Sequence, residues 1–135
     1  MVTEVEGFSI KVPIYVMLGK VKKKKHYLNL NLFRNQEFHI NNNIKKEFKR
    51  IVTELIPDVY YSQFELHYTL YLPNKLKRDI SNVLSIVDKN FCDAFIELGR
   101  AEDDNYEFLK KVIYEYGGQD PDGDGYAIIN VTKVE

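Results

Sequence analysis

The chain contains no tryptophan, two methionines, four prolines and one cysteine, Cys92. A single cysteine excludes an intrachain disulfide, so an apolar core has to hold the fold. No apolar run approaches the ~20 residues that a membrane-spanning helix requires. The best candidate, VPIYVMLG from Val12 to Gly19, is far too short. The acidic start MVTEVEG lacks the basic region and apolar stretch of a secretory signal. These absences predict a soluble protein of a reducing, cytoplasmic compartment. An excess of one charge is missing too: with 19 basic and 20 acidic residues, net charge alone announces no nucleic-acid partner.

What is present is a chain of 135 residues, 44% hydrophobic and 13% aromatic, which is enough for one domain, residues 1–135, with a substantial core. Its charge is unevenly placed. KVKKKK runs from Lys20 to Lys25, KKEFKR from Lys45 to Arg50 and KLKR from Lys75 to Arg78, while acids gather between Asp88 and Asp124. One lysine run is usually a solvated face; three beside a carboxylate-rich segment point to a polyanion held near a metal.

Alternation and turn residues divide the chain into short elements. Phe8 to Leu18 and Tyr27 to Phe33 (YLNLNLF) read as strands joined into a hairpin by the lysine-rich turn. A helix follows, capped by Asn42 or Asn43, with Ile44, Phe48, Ile51 and Leu55 at helical spacing and Pro57 beyond its end. Tyr61 to Leu72 alternates again, with Phe64, Leu66, Tyr68, Leu70 and Leu72 on one face. After a second helix, Glu107 to Tyr116 and Tyr126 to Val134 read as strands bracketing a hairpin loop, GGQDPDGDG. The order β-β-α-β-α-β-β predicts an α+β fold, a mixed β-sheet with two helices packed on it.

The second helix carries the unusual pattern. Ile80, Val83, Leu84, Val87, Phe91, Ala94 and Phe95 fall on one apolar arc, and Ser81, Asn82, Ser85, Asp88, Lys89 and Cys92 on the opposite one. Serine, asparagine and cysteine are poor helix formers, and a merely solvated face favours long charged residues. Small polar side chains there predict close approach by another surface. Asn82 and Lys89 lie nearly in line, about 10 Å apart along the axis. Asp79 has an ordinary explanation as the helix N-cap, and Asp103-Asp104 as a turn before a strand. Yet Glu102, Asp103 and Asp104 are consecutive acids, which repel unless a cation is near.

RDISN at Arg78 to Asn82, KNFCDAF at Lys89 to Phe95 and EDDNY at Glu102 to Tyr106 resemble the motifs of the RusA-like Holliday junction resolvases. The family pattern is R-D-x-D-N, a helical K-x-x-x-D-A, and a D-D pair ten residues beyond that aspartate. Asp93 and Asp103 are ten apart here. The resemblance extends through the element order and covers nearly the whole chain. It implies a small homodimeric endonuclease of phage or prophage type that nicks four-way DNA junctions symmetrically with Mg²⁺ or Mn²⁺. Carried over by position, Asp79 is the first motif aspartate, Asn82 the asparagine, Lys89 the lysine, and Asp103 and Asp104 the acidic pair. Ser81 stands where the family has its second aspartate. Lys89 matches only if the helix has gained one turn after Asn82; otherwise Ser85 takes the lysine's place.

Such chemistry needs an activated water and neutralised phosphate charge, both within reach of a divalent ion. Mg²⁺ takes hard oxygen ligands and keeps several waters. Asp79 and Asp104 are the expected ligands, with Asp103 sharing the ion or ordering its water. Ser81, through a water, or Asp88 would make good the missing aspartate. Lys89 would act on the scissile phosphate. Lys22, Lys23, Lys24, Lys25, Lys75, Lys77 and Arg78 are the expected phosphate contacts.

Other constellations read as structural. His26, His39 and His67 have no paired ligand spacing. Asp120, Asp122 and Asp124 lack the glutamate of a calcium loop, Val131 standing in its place. Cys92 reads as a small packing residue. Two functions follow as expectations: a Mg²⁺-dependent junction endonuclease, or a noncatalytic branched-DNA binder or phage regulatory protein on the same scaffold.

Overall fold

A computed structural model describes residues 6–73 and 78–135. It has an α+β architecture. The elements are β1 (Gly7–Pro13), β2 (Tyr15–Leu18), β3 (Lys24–Tyr27), α1 (Leu30–Asn35), α2 (Phe38–Thr53), β4 (Phe64–Leu72), α3 (Ile80–Glu97), β5 (Leu109–Gln119) and β6 (Tyr126–Lys133). β1, β6, β4 and β5 form a mixed sheet in that order, and β2 and β3 a separate antiparallel pair. The expected face of β4 is the core face: Phe64, Leu66, Tyr68, Leu70 and Leu72 are buried and the residues between them half-buried. Leu84, Val87, Phe91 and Phe95 of α3 are fully buried with them.

The strand expected from Phe8 to Leu18 is broken at Ile14 into β1 and β2, which join different sheets. Three further expectations are corrected. YLNLNLF is not a strand: β3 ends at Tyr27, and the segment turns into α1, a third helix. Asn29 decides this, because its Oδ1 accepts from the backbone N–H groups of Asn31 at 2.8 Å and Leu32 at 3.3 Å and so starts a helix. Second, α2 begins at Phe38 after Glu37, so Asn42 and Asn43 lie inside it rather than cap it, and it ends at Thr53, before Leu55. Its buried stripe is Ile44, Phe48 and Val52.

Third, the last two strands are not a hairpin. β5 pairs parallel with β4 and β6 antiparallel with β4 on its other side, so β4 separates them. The GGQDPDGDG segment passes over the end of β4, where the Asp120 N–H donates to Leu72 O at 2.7 Å. Alternation reports which face is apolar and carries no information about which strand is the neighbour.

Candidate functional site

β4, α3 and β5 form one β-α-β crossover, and every motif residue among those described lies on it or beside it. Gly99 ends α3 at φ +76°, with Gly99 N–H bonded to Ile96 O at 2.9 Å and Arg100 N–H to Phe95 O at 3.0 Å. This left-handed cap turns the chain toward β5 and delivers Glu102 to Asn105 beside the helix end.

Asp88 is not a free carboxylate of a solvated face. Its Oδ1 accepts from the hydroxyl of Tyr68 at 2.7 Å and from Cys92 Sγ at 3.2 Å, and its Oδ2 from the hydroxyl of Tyr114 at 2.7 Å. Tyr68 is fully buried on β4, and its ring meets that of Tyr114 edge-on at 5.7 Å. Burial and the adjacent carboxylate push both hydroxyls well above the usual tyrosine range. Cys92 is buried, in keeping with its reading as a small packing residue. Burial first, then Asp88, then Asp104 raise its thiol far above the ordinary value, so it is a protonated donor and no nucleophile. Sequence reasoning missed Tyr68 and Tyr114. The available signal was a tyrosine in the middle of an apolar strand face, whose hydroxyl must find a partner.

At the other end of the helix, Asp79 occupies the N-cap position, but its carboxylate makes no capping bond. It accepts instead from Asn82 Nδ2 at 3.3 Å and stands exposed. Ser81 is exposed beside it. The Arg78 guanidinium lies 5.6 Å from the centre of the Tyr27 ring. Lys89 is exposed, with its amine 5.8 Å from the Phe33 ring. Ser85 is half-buried, and its Oγ is sealed from solvent without a hydrogen-bond partner among the described residues. A lysine there would have to desolvate its stem, whereas position 89 faces water.

Asp103 and Asp104 stand in the loop after α3. Asp103 Oδ1 accepts from the Asp104 backbone N–H at 2.7 Å and Oδ2 from Asn105 Nδ2 at 3.1 Å. That backbone bond holds the Asp103 carboxyl below its usual range. Asp104, exposed on the loop, is raised, first by desolvation and then by Asp103, with Asp93 adding to it. The charge of Asp104 acts on Cys92, and that of Asp93 on Asp104, so the loop after α3 lies within electrostatic reach of the C-terminal half of the helix. Asp79 and Cys92 are thirteen residues apart, about 20 Å along the helix. The structure thus brings Asp103, Asp104 and the Asp88–Cys92 contact to one region and leaves Asp79 with Asn82 and Arg78 in another.

The basic runs divide as well. Lys25 is engaged internally, 2.7 Å from Asp124 Oδ1 and over the Tyr15 ring. Lys22 and Lys23 are exposed on the turn before β3, and Lys24 is exposed at its first position. Lys75 and Lys77 lie outside the described residues. Lys45 pairs with Asp93 and Glu97 of α3, and Lys49 with Glu97 at 2.8 Å, so half of KKEFKR docks α2 on α3.

Among the described residues, no three His, Cys, Asp or Glu side chains are grouped to hold a metal ion. Mg²⁺ does not require three, since it is often held by one or two carboxylates, waters and substrate phosphates. Asp103 and Asp104 fit that mode, as adjacent hard oxygen donors whose mutual repulsion a cation relieves. Among the described residues, no helix is long and apolar enough to cross a membrane. The chain matches no protein-family model, and no curated protein matches it.

Proposed function

We propose that this chain is a Mg²⁺- or Mn²⁺-dependent, structure-selective endodeoxyribonuclease that acts on four-way DNA junctions as a homodimer. The observation that carries this reading is the pair of adjacent exposed carboxylates in the loop after α3, where the Asp104 N–H donates to Asp103 Oδ1 at 2.7 Å and fixes the two side by side. The resemblance of RDISN, KNFCDAF and EDDNY to the resolvase motifs supports it. In this reading Asp103 and Asp104 hold the ion against a DNA phosphate. When bound, the ion supplies an acidified water and charge neutralisation. Lys89 neutralises the phosphate, and Arg78 with Lys22, Lys23 and Lys24 positions the backbone. Asp88 keeps α3 at a set distance from β4 and β5.

A second reading, a noncatalytic branched-DNA binder or phage regulatory protein, is favoured by one observation. Asp79 stands at the far end of the helix from the acidic pair, and Ser81 replaces the intervening carboxylate. Incubating the purified chain with labelled four-way junction, with and without Mg²⁺ or Mn²⁺, separates the two. Metal-dependent paired nicks support the nuclease, a shifted but intact junction supports the binder, and neither binding nor cleavage overturns both.

A further inference from the structure

Outside the α3 region, one part of the surface concentrates cations. The four basic residues of α2 split by helical spacing: Lys45 and Lys49 turn to the acids of α3, while Lys46 and Arg50 face away, toward the turn between β2 and β3. There they line a shallow, solvent-open depression with Lys20 and Asn43. An adjoining cleft of about 250 Å³ shares Arg50 and adds Lys23, Tyr15 and Met17. Four cations meet one carboxylate, Glu47, which is already paired with Arg50. Among the described residues, no carboxylate forms an ion pair with Lys20, Lys23 or Lys46. In a chain of net charge −1 this excess is local and built. Gly19, at φ +134°, makes the tight turn that brings Lys20 over α2, and a Cβ there would meet Lys22 O at 2.2 Å.

We infer that this depression and the adjoining cleft hold an unpaired DNA strand, with phosphates on Lys20, Lys46 and Arg50 and a base against Tyr15 and Met17. The inference rests on the nucleic-acid reading above and names a substrate feature that the α3 region does not supply. Charge complementarity selects a polyanion. The half-buried Tyr15 ring, which Lys25 covers on one side and Tyr27 flanks at 5.8 Å, and exposed Met17 beside Arg50 select one with an accessible flat face for the side left over, which a paired backbone does not offer.

The test measures binding of the full chain to a fluorescent oligothymidylate of about 12 nucleotides, within the span of known single-strand sites, and to a duplex of the same length, across a series of salt concentrations. The Lys46→Ala/Arg50→Ala double variant should flatten the log–log salt slope on the single strand by about 1.4, at roughly 0.7 per lost phosphate contact. Tyr15→Leu should weaken single-strand binding without changing the slope. Circular dichroism confirms that the variants fold, and Lys46→Ala and Arg50→Ala taken singly provide second readings. Unchanged affinity and slope in the double variant overturn the cleft while leaving junction binding by the α3 region intact. Equal losses on duplex and single strand overturn the unpaired-strand assignment. A wild-type chain that binds neither probe nor junction removes the nucleic-acid reading itself.

Discussion

The buried hydroxyl of Tyr68 donates to Asp88 Oδ1 at 2.7 Å, tying the centre of β4 to the middle of α3, and Tyr114 extends the tie to β5 through the other oxygen. Because this carboxylate satisfies hydroxyls on two strands, its removal leaves a polar group stranded in the core. Asp88→Ala is expected to lower unfolding free energy by about 2 kcal/mol, in the range for an unsatisfied buried donor. Adding Tyr68→Phe should recover part of that loss, since the stranded hydroxyl is gone. Urea denaturation of the two singles and the double measures the coupling; additive losses would show that the pair acts independently.

Asp104→Asn is expected to abolish metal-dependent cleavage and to leave junction binding intact or tighter, because a negative charge facing phosphate is removed with the ligand. Asp79→Asn, at the other end of α3, should leave measurable turnover. Gel assays of cleavage and binding decide, and loss of binding in both variants would assign these acids to structure.

If Lys89 acts on the transition state, Lys89→Ala lowers turnover far more than affinity. Single-turnover rates beside binding isotherms separate the two quantities. Undiminished cleavage would detach Lys89 from the family's lysine and with it the one-turn offset.

Asp104 also gives a pH dependence of stability. Its carboxyl is raised by desolvation and by Asp103, so this group binds its proton more tightly in the folded chain, while Asp103, lowered by the Asp104 backbone N–H, acts in the opposite sense. The destabilising contribution of Asp104 is therefore absent at pH below the unfolded carboxylate range and grows as pH rises through the folded value. Asp104→Asn should raise the unfolding free energy at neutral pH by less than about 1 kcal/mol, given solvent screening, and with it Tm, and should have little effect in acid. Thermal melts of wild type and variant from pH 3 to neutrality test the sign.

Symmetric nicking needs two sites related by a two-fold axis, which a self-complementary contact supplies. Among the described residues β5 is a sheet edge, and Val112, Ile113 and Tyr116 on it are exposed at 40, 38 and 47%. Sedimentation at micromolar concentration should report about twice 15.9 kDa, and Ile113→Lys should halve that mass. A wild-type chain that stays monomeric, free and bound to junction DNA, would remove the paired-nick mechanism.

What local chemistry controls was legible from the residues alone. The alternation from Phe64 to Leu72, the apolar arc from Val83 to Phe95 and the glycine stop at Gly99 each depend on a few neighbours in the chain, and each stands in the structure as read. YLNLNLF shows the limit. Its alternating pattern was compatible with a strand, and one side-chain oxygen, Asn29 Oδ1, tips it to a helix.

Pairing and partnership were decided only by tertiary structure. Alternation in β5 and β6 is the same whether they pair with each other or flank β4, and only the assembled sheet selects the second arrangement. Asp88 and Cys92 looked like members of an open polar face because helical spacing locates a side chain around an axis without saying what lies opposite. Tyr68 and Tyr114, respectively twenty and twenty-six residues away, fill that space and turn a candidate ligand into a structural tie. The basic runs behaved likewise: their charge was visible in the chain, but which lysines are spent on Asp93, Glu97 and Asp124 depends on how α2 and the β2–β3 turn pack. Periodicity reports a residue's environment in one dimension, whereas hydrogen bonds and ion pairs require two chemical groups to meet, and that meeting is set by the long-range contacts of the folded chain.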